Sequence, residues 1–175
     1  MSYILKEQPA APGNHGGSRS AEQIRYLVLH YTGNIGDTAA NNAAYFQNNI
    51  VKASAHYFVD DTTVYRSVAD LNVAWAVGGN RYSDIGKTGG GTMYGVITNQ
   101  NSLSVELCGT QGNGSRCASE ATLENAVTLC RELMDRYQIP LSRVYRHFDV
   151  TGKHCPAYWM EELPGRPSRP DWNTI

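Results

Sequence analysis

Apolar and polar positions change period along this chain, and each change marks an element. Residues 24–30, Ile24-Arg25-Tyr26-Leu27-Val28-Leu29-His30, are apolar almost throughout. A short unbroken run of this kind predicts a central strand covered on both faces, extending to residue 31. Asp37 or Thr38 then supplies the N-cap of an alanine-rich helix that reaches about residue 48 and carries Tyr45 and Phe46. Two short strands follow at 55–59 and 63–68, around Asp60-Asp61-Thr62, which has the composition of a hairpin turn. Residues 102–107 return to strand. Ser119 opens a helix to about residue 137, where Leu123, Ala126, Val127, Cys130, Leu133, Met134 and Tyr137 recur at helical spacing and argue one buried face. Pro140 ends the connection, and Val144-Tyr145 lead into the next segment. Strands alternating with helices predict an α/β fold: one domain, with a mixed central β-sheet flanked by helices.

Three stretches lack a period. Residues 8–20 hold Pro9, Pro12, Gly13, Gly16 and Gly17 and form an ordered arm or a loose lead-in, with His15 solvated. Residues 78–101 are rich in glycine, and a long loop in a compact domain is functional or mobile. Its Tyr82, Met93 and Tyr94 line a substrate groove in one reading and decorate a surface insertion in the other. Residues 164–175 contain three prolines and Trp172 and form an extended strap or lead to something beyond. The expected organisation is an N-terminal arm over 1–23, a single domain over 24–163 and a tail over 164–175.

A length of 175 residues fits one domain with a core that needs no staples. Hydrophobic content of 41% with 18% charged residues is that of a globular domain. With a net charge of −1, nothing argues for nucleic acid or an anionic membrane as partner, and neither is expected. No apolar run reaches the ~18 residues of a membrane span. The first residues, Met1 to Gln8, lack the basic start and apolar core of a signal peptide, so cytoplasmic synthesis is expected and a secreted role needs another exit route. Four cysteines allow three disulfide pairings, and none is expected to form. Cys108 and Cys130 fall in strand and helix patterns, where free cysteine acts as a small hydrophobe. Cys117, in a glycine-rich loop, is the most exposed thiol.

The chemistry concentrates between Arg146 and Pro156, where His147, Lys153 and Cys155 lie in one short stretch. With His30 at the end of the first apolar run, two imidazoles and a thiolate form a good ligand set for zinc. Three protein ligands leave the fourth tetrahedral position open, which is a catalytic arrangement. Pro156 fixes the backbone just after the last ligand. Asp149 either ligates or orients a ligand imidazole. Alternation along residues 103–108 puts Leu103, Val105 and Leu107 on one face and Ser104, Glu106 and Cys108 on the other. A carboxylate in such a strand is unfavourable unless it has a partner or a task. Lys153 starts beside the proposed metal or is a solvated lysine. His56 faces a cleft or is a satisfied structural histidine. His154 points away from the ligands and has no assigned role.

These residues also carry a resemblance. His30 at a strand end, Glu106 in Ser104-Val105-Glu106-Leu107-Cys108, and the segment from His147 to Cys155 with Lys153 resemble zinc N-acetylmuramoyl-L-alanine amidases of type 2. Ser54-Ala55-His56-Tyr57-Phe58-Val59-Asp60-Asp61 and Thr98-Asn99-Gln100-Asn101-Ser102-Leu103 are similar too, and the likeness runs from about residue 24 to 159. That family includes phage endolysins, bacterial autolysins and peptidoglycan recognition proteins. The resemblance implies the fold, Zn2+ held by His30, His147 and Cys155, Glu106 as general base, Lys153 as transition-state stabiliser and Asp149 as a structural residue. It implies hydrolysis of the amide between N-acetylmuramic acid and L-alanine in bacterial peptidoglycan, by an endolysin or autolysin acting at the wall after release or non-standard export. His56, Trp75 and Tyr94 are the candidates for a substrate cleft. Relatives commonly carry histidine after the tryptophan; Ala76 stands there and removes one cleft contact. The alternatives are a non-catalytic peptidoglycan-binding receptor of the same fold, whose members typically lack the cysteine, and a zinc peptidase acting within the stem peptide.

Overall fold

A computed structural model describes residues 3–160 of the chain. The stretch expected as an arm supplies two strands. The first, β1 (Ile4–Glu7), is exposed at every position, so no burial pattern marks it in the sequence. The second, β2 (His15–Ser18), follows a turn. Then come β3 (Tyr26–Tyr31), α1 (Ala39–Asn48), β4 (Tyr57–Val59), β5 (Thr63–Arg66) and β6 (Asn72–Ala74). A single helical turn, α2 (Ile85–Thr88), interrupts the glycine-rich stretch. The chain continues through β7 (Ser102–Leu107), α3 (Glu120–Tyr137), β8 (Val144–Arg146) and α4 (His147–Thr151). The tail at 164–175 lies outside the described residues.

Six strands form one mixed sheet in the order β1-β5-β4-β7-β3-β8. β4, β7, β3 and β8 run parallel, while β5 is antiparallel to β4 and parallel to β1. β2 and β6 pair separately as a small antiparallel ribbon. The expected hairpin is present, and the Asp60 carboxylate holds it. Its Oδ1 accepts from the Thr62 and Thr63 amides (3.0 and 2.7 Å), and its Oδ2 accepts from the Ala39 amide at the start of α1 (2.9 Å). One carboxylate therefore closes the turn and satisfies an orphan donor at a helix N-terminus.

The two faces of the sheet are covered differently, and that difference makes the site. On one face Leu27, Leu29, Tyr57, Leu103, Val105 and Leu107 pack against Ala126, Leu129, Cys130 and Leu133 of α3. Each such burial contributes about 1.5–3 kcal/mol for the larger side chains. The buried stripe of α3 is rotated from the one its apolar residues predict: Thr122 and Asn125 are buried, while Val127 is only partly so. These polar groups tolerate burial because the hairpin receives them. Asn125 Nδ2 donates to the Asp60 carbonyl (3.0 Å), and Thr122 Oγ1 donates to Asp61 Oδ1 (2.7 Å). On the other face α1 covers Phe58 with Ala39 and Ala43, and Val28 packs with Val77, Ile97 and Val150. The row between these two patches holds His30 and Glu106, and His30 is covered instead by the segment that carries His147 and Cys155. Among the described residues no helix is long and apolar enough to cross a membrane.

Arg19 ties the arm to this framework. It is buried, and its guanidinium donates to the carbonyls of Asp70 (2.9 and 3.0 Å), Asn99 (3.1 Å), Gln100 (3.0 Å) and Ser102 (2.8 Å). Burial lowers its pKa to about 10, against the opposing pull of Asp70. Arg19→Met removes these donors from buried carbonyls and is expected to destabilise the domain by about 3 kcal/mol. The thermal midpoint should fall by about 9 °C. An unchanged midpoint would mean that water replaces the guanidinium.

Candidate metal centre and active cleft

Register places the site at the carboxyl ends of the parallel strands, where open α/β sheets bind ligands. His30 of β3 pairs directly with Glu106 of β7, and Leu29 pairs with Arg146 of β8. His147, one residue beyond Arg146, therefore arrives beside His30, with the two rings 4.7 Å apart. α4 ends at Gly152, which adopts φ 86, and the chain reverses there. The return brings Cys155 back over the helix: the Phe148 amide donates to the Cys155 carbonyl (3.0 Å), and the Tyr31 amide donates to Cys155 Sγ (3.5 Å). One ligating atom each from His30, His147 and Cys155 lie within 4.8 Å of one another, and all three residues are buried.

The chemistry of this cluster fits a metal ion. His30 Nε2 and His147 Nδ1 are buried without a hydrogen-bond partner among the described residues. Leaving such atoms unpaired would be unfavourable by about 1–3 kcal/mol each. Burial holds His30 well below the usual imidazole range, helped by the neighbouring His147 and Lys153, and burial with Lys153 takes His147 to about 3. Both rings are therefore neutral at pH 7 and present lone pairs. Burial, followed by the Glu106 charge, pushes the Cys155 thiol up to about 12. A cation that draws the sulfur in as thiolate must displace a proton. All four cysteines are free, and Cys117 is half-buried rather than exposed.

Glu106 borders this cluster, with Oε1 3.8 Å from His30 Nδ1 and Oε2 unpartnered. Burial raises its carboxyl to about 7; Lys153 pulls it down and Asp37 pushes it up. Lys153 is exposed and lines two grooves, one bordered by Glu106 and the other by His147. One, of about 450 Å³, runs past Glu106, Asp37 and Tyr45. The other, of about 710 Å³, runs from His147 past Trp75 and Tyr82 to Lys52. Trp75 thus stands at the cleft. Tyr94 lines an adjoining groove with Trp75 and donates its hydroxyl to the Gly79 carbonyl (3.1 Å).

His56 is not in the cleft. It is buried, with Nδ1 against Ser104 Oγ (3.0 Å) and Nε2 against Arg19 Nη2 (2.9 Å) and the Asn72 carbonyl (3.1 Å). Both nitrogens are satisfied, which makes it the structural histidine of the two alternatives. Asp149 does not ligate: it accepts from Arg146 N and Nε (2.8 and 3.1 Å) and from Nη2 (2.6 Å), locking the start of α4 beside His147. His154 turns outward and pairs with Asp84 at 3.3 Å.

The glycine-rich stretch is both lining and brace. Tyr82, Gly91 and Met93 donate backbone amides to the carbonyls of Thr151 (2.8 Å), Phe148 (2.9 Å) and Asp149 (2.8 Å), so the loop is stitched onto the helix that precedes Cys155. Met93 packs into the Val28 cluster instead of the groove. A Cβ at Gly90 would lie 2.6 Å from Phe148 Cε2 and 2.9 Å from the Gly152 Cα. Gly90→Ala is expected to destabilise the domain by about 1–3 kcal/mol and to weaken metal binding by about tenfold. Chelator competition and thermal unfolding would check the two effects. Full retention of both would show that loop and helix move apart freely.

Fold and cluster together define a class: an α/β domain with a mixed sheet flanked by helices, as expected, carrying a buried His-His-Cys group that could hold a metal ion beside a cleft. The family model for N-acetylmuramoyl-L-alanine amidase matches residues 20–158, and this chain belongs to that family. It is 33% identical over 165 residues to the N-acetylmuramoyl-L-alanine amidase BlyA of Bacillus subtilis (strain 168), covering 91% of this chain and 42% of that protein. It is 32% identical over 144 residues to the N-acetylmuramoyl-L-alanine amidase CwlL of Bacillus licheniformis, covering 79% and 38%. The chain thus spans about two fifths of the length of these curated relatives. The solved structure of the catalytic domain of XlyA superposes with a TM-score of 0.65 at 27% identity, covering 89% of this chain and 90% of that one.

Sequence reasoning misses Arg19 and the bracing role of residues 82–93, and it does not bring Lys52 to the groove. None has a motif; each acquires its place from segments distant in the chain.

Proposed function

We propose that this chain hydrolyses the amide between N-acetylmuramic acid and L-alanine in bacterial peptidoglycan, as the catalytic part of an endolysin or autolysin acting at the wall. The observation that carries this reading is the buried cluster of His30, His147 and Cys155, with two unpartnered ring nitrogens, beside the unpartnered carboxylate oxygen of Glu106. His30, His147 and Cys155 would hold Zn2+, whose ligand preferences match two imidazoles and a thiolate. A zinc ion there would supply Lewis acidity toward water and the amide carbonyl.

The chain's own groups supply the rest. Glu106, with a carboxyl near 7, takes a proton from the attacking water and returns it to the departing nitrogen. Lys153 lines the grooves beside both Glu106 and His147, where its ammonium adds positive charge next to the oxyanion of the tetrahedral intermediate. Trp75 provides an apolar wall for substrate.

The test is product analysis on defined muropeptides, with zinc, with chelator, and with zinc restored. The expected products are free stem peptide with a new alanine amino terminus and intact glycan without new reducing ends. Cleavage inside the stem would replace this reading with a peptidase. Tight binding without any cleavage by zinc-loaded protein would replace it with a receptor.

A further inference from the structure

Lys52 has a backbone conformation that side-chain-bearing residues disfavour. Its φ is 55, in the left-handed region, where glycine would sit without strain. A buried clamp enforces this conformation. Asn14, 0% exposed, accepts from the Val51 and Lys52 amides with Oδ1 (2.7 and 3.0 Å) and donates to the Phe46 and Asn49 carbonyls with Nδ2 (both 2.7 Å). A non-glycine residue held in this region with its surroundings over-determined is a pointer to function.

Its location gives that function a chemistry. Lys52 lines the groove that leads from His147 past Trp75, Tyr82 and Asn80. Lys153 is the other charged side chain of that groove, and among the described residues no carboxylate lines it. The groove on the far side of Lys153 carries both Asp37 and Glu106. The chain as a whole has a net charge of −1, so the positive character is local to one arm of the cleft. A concave surface of one sign concentrates oppositely charged ligand groups.

We propose that Lys52 is a substrate-recognition residue that meets a carboxylate on the peptide portion of the substrate. The proposal rests on the amidase reading. In a muramoyl peptide the lactyl carboxyl of the sugar is consumed in the scissile amide. Free carboxylates in the cleft therefore come from the peptide, which places the peptide in the Lys52 arm.

The test uses the zinc-loaded 175-residue chain and the tripeptide L-alanyl-γ-D-glutamyl-L-lysine, as free acid and with its carboxyls converted to carboxamides. Calorimetry should show the acid form binding about fivefold more tightly, the upper range for an exposed ion pair. Lys52→Gln should erase that preference and leave binding of the amide form unchanged. Lys52→Gly should erase it as well without lowering the thermal midpoint, since glycine accepts the backbone geometry; this separates recognition from a structural role. With cleavable muramoyl peptides carrying free carboxylates, Lys52→Gln should raise KM by the same factor. Equal binding of the two forms by wild type, no binding of either, or a preference that survives Lys52→Gln would overturn the proposal. The readings separate cleanly: a carboxylate preference without cleavage removes the amidase reading, and cleavage without the preference removes Lys52.

Discussion

Cys155→Ala is expected to weaken zinc binding by more than about a hundredfold and to abolish peptidoglycan cleavage with it. Even residues that merely support metal ligands change affinity by about 10–100-fold, so loss of a ligand sets a larger effect. The variant should still fold, because the lost side chain is small and its hydrogen bond from the Tyr31 amide, at 3.5 Å, is long. The pH dependence sharpens the test. The free thiol has its pKa near 12, whereas His147 titrates near 3 and His30 well below the usual imidazole range. Near pH 7 the sulfur is protonated before binding and the rings are not. Binding therefore releases the thiol proton, in addition to whatever proton Glu106 gives up to the cation, and that thiol proton contributes about tenfold in affinity per pH unit. In Cys155→Ala the slope should fall by that one proton. Competition against a chromophoric chelator at several pH values measures both effects. Wild-type affinity in the variant would remove the sulfur from the metal site.

Glu106→Gln should retain zinc and lose about 10²- to 10⁴-fold in turnover, the usual contribution of a positioned general base. The substitution preserves shape, so the unfolding midpoint should move little. Only the ionised carboxylate accepts a proton; turnover must therefore fall as pH drops through the pKa of Glu106. Burial sets that value at about 7 with Lys153 pulling it down, and a bound cation draws it lower still. The acid limb of the rate profile should lie at or below about pH 7 in wild type and disappear in Glu106→Gln. Turnover of the variant at the wild-type rate would remove Glu106 from the mechanism.

How far the chain announces this site depends on the range of each signal. The strand at His30 is legible because Leu27, Val28 and Leu29 are apolar on both faces. Glu106 is legible because a period of two separates it from Leu103, Val105 and Leu107. The long helix is legible at its N-cap, where Ser119 Oγ accepts from the Thr122 amide (3.1 Å). Its buried stripe is less so, because Thr122 and Asn125 face inward only where the hairpin carbonyl and carboxylate await them. β1 escapes detection because an exposed edge strand has no buried side to print on the sequence. The role of His56 stays open in the sequence because its partners Arg19, Asn72 and Ser104 lie 16 to 48 residues away.

Residue types, periodicity and short-range spacing are local properties, and a linear reading recovers them: an α/β chain, two imidazoles and a thiol suited to zinc, a carboxylate on the opposite face of a core strand. What folding adds is the company each of those groups keeps. Parallel register sets His30 opposite Glu106, the turn at Gly152 carries the sulfur back to the rings, and unequal covering of the sheet leaves that row for the His147–Cys155 segment to meet. Burial then fixes which groups are neutral, and a charge difference between two grooves follows from how loops distant in the chain come together. Proton affinity and groove polarity depend on three-dimensional surroundings, which no stretch of sequence contains by itself.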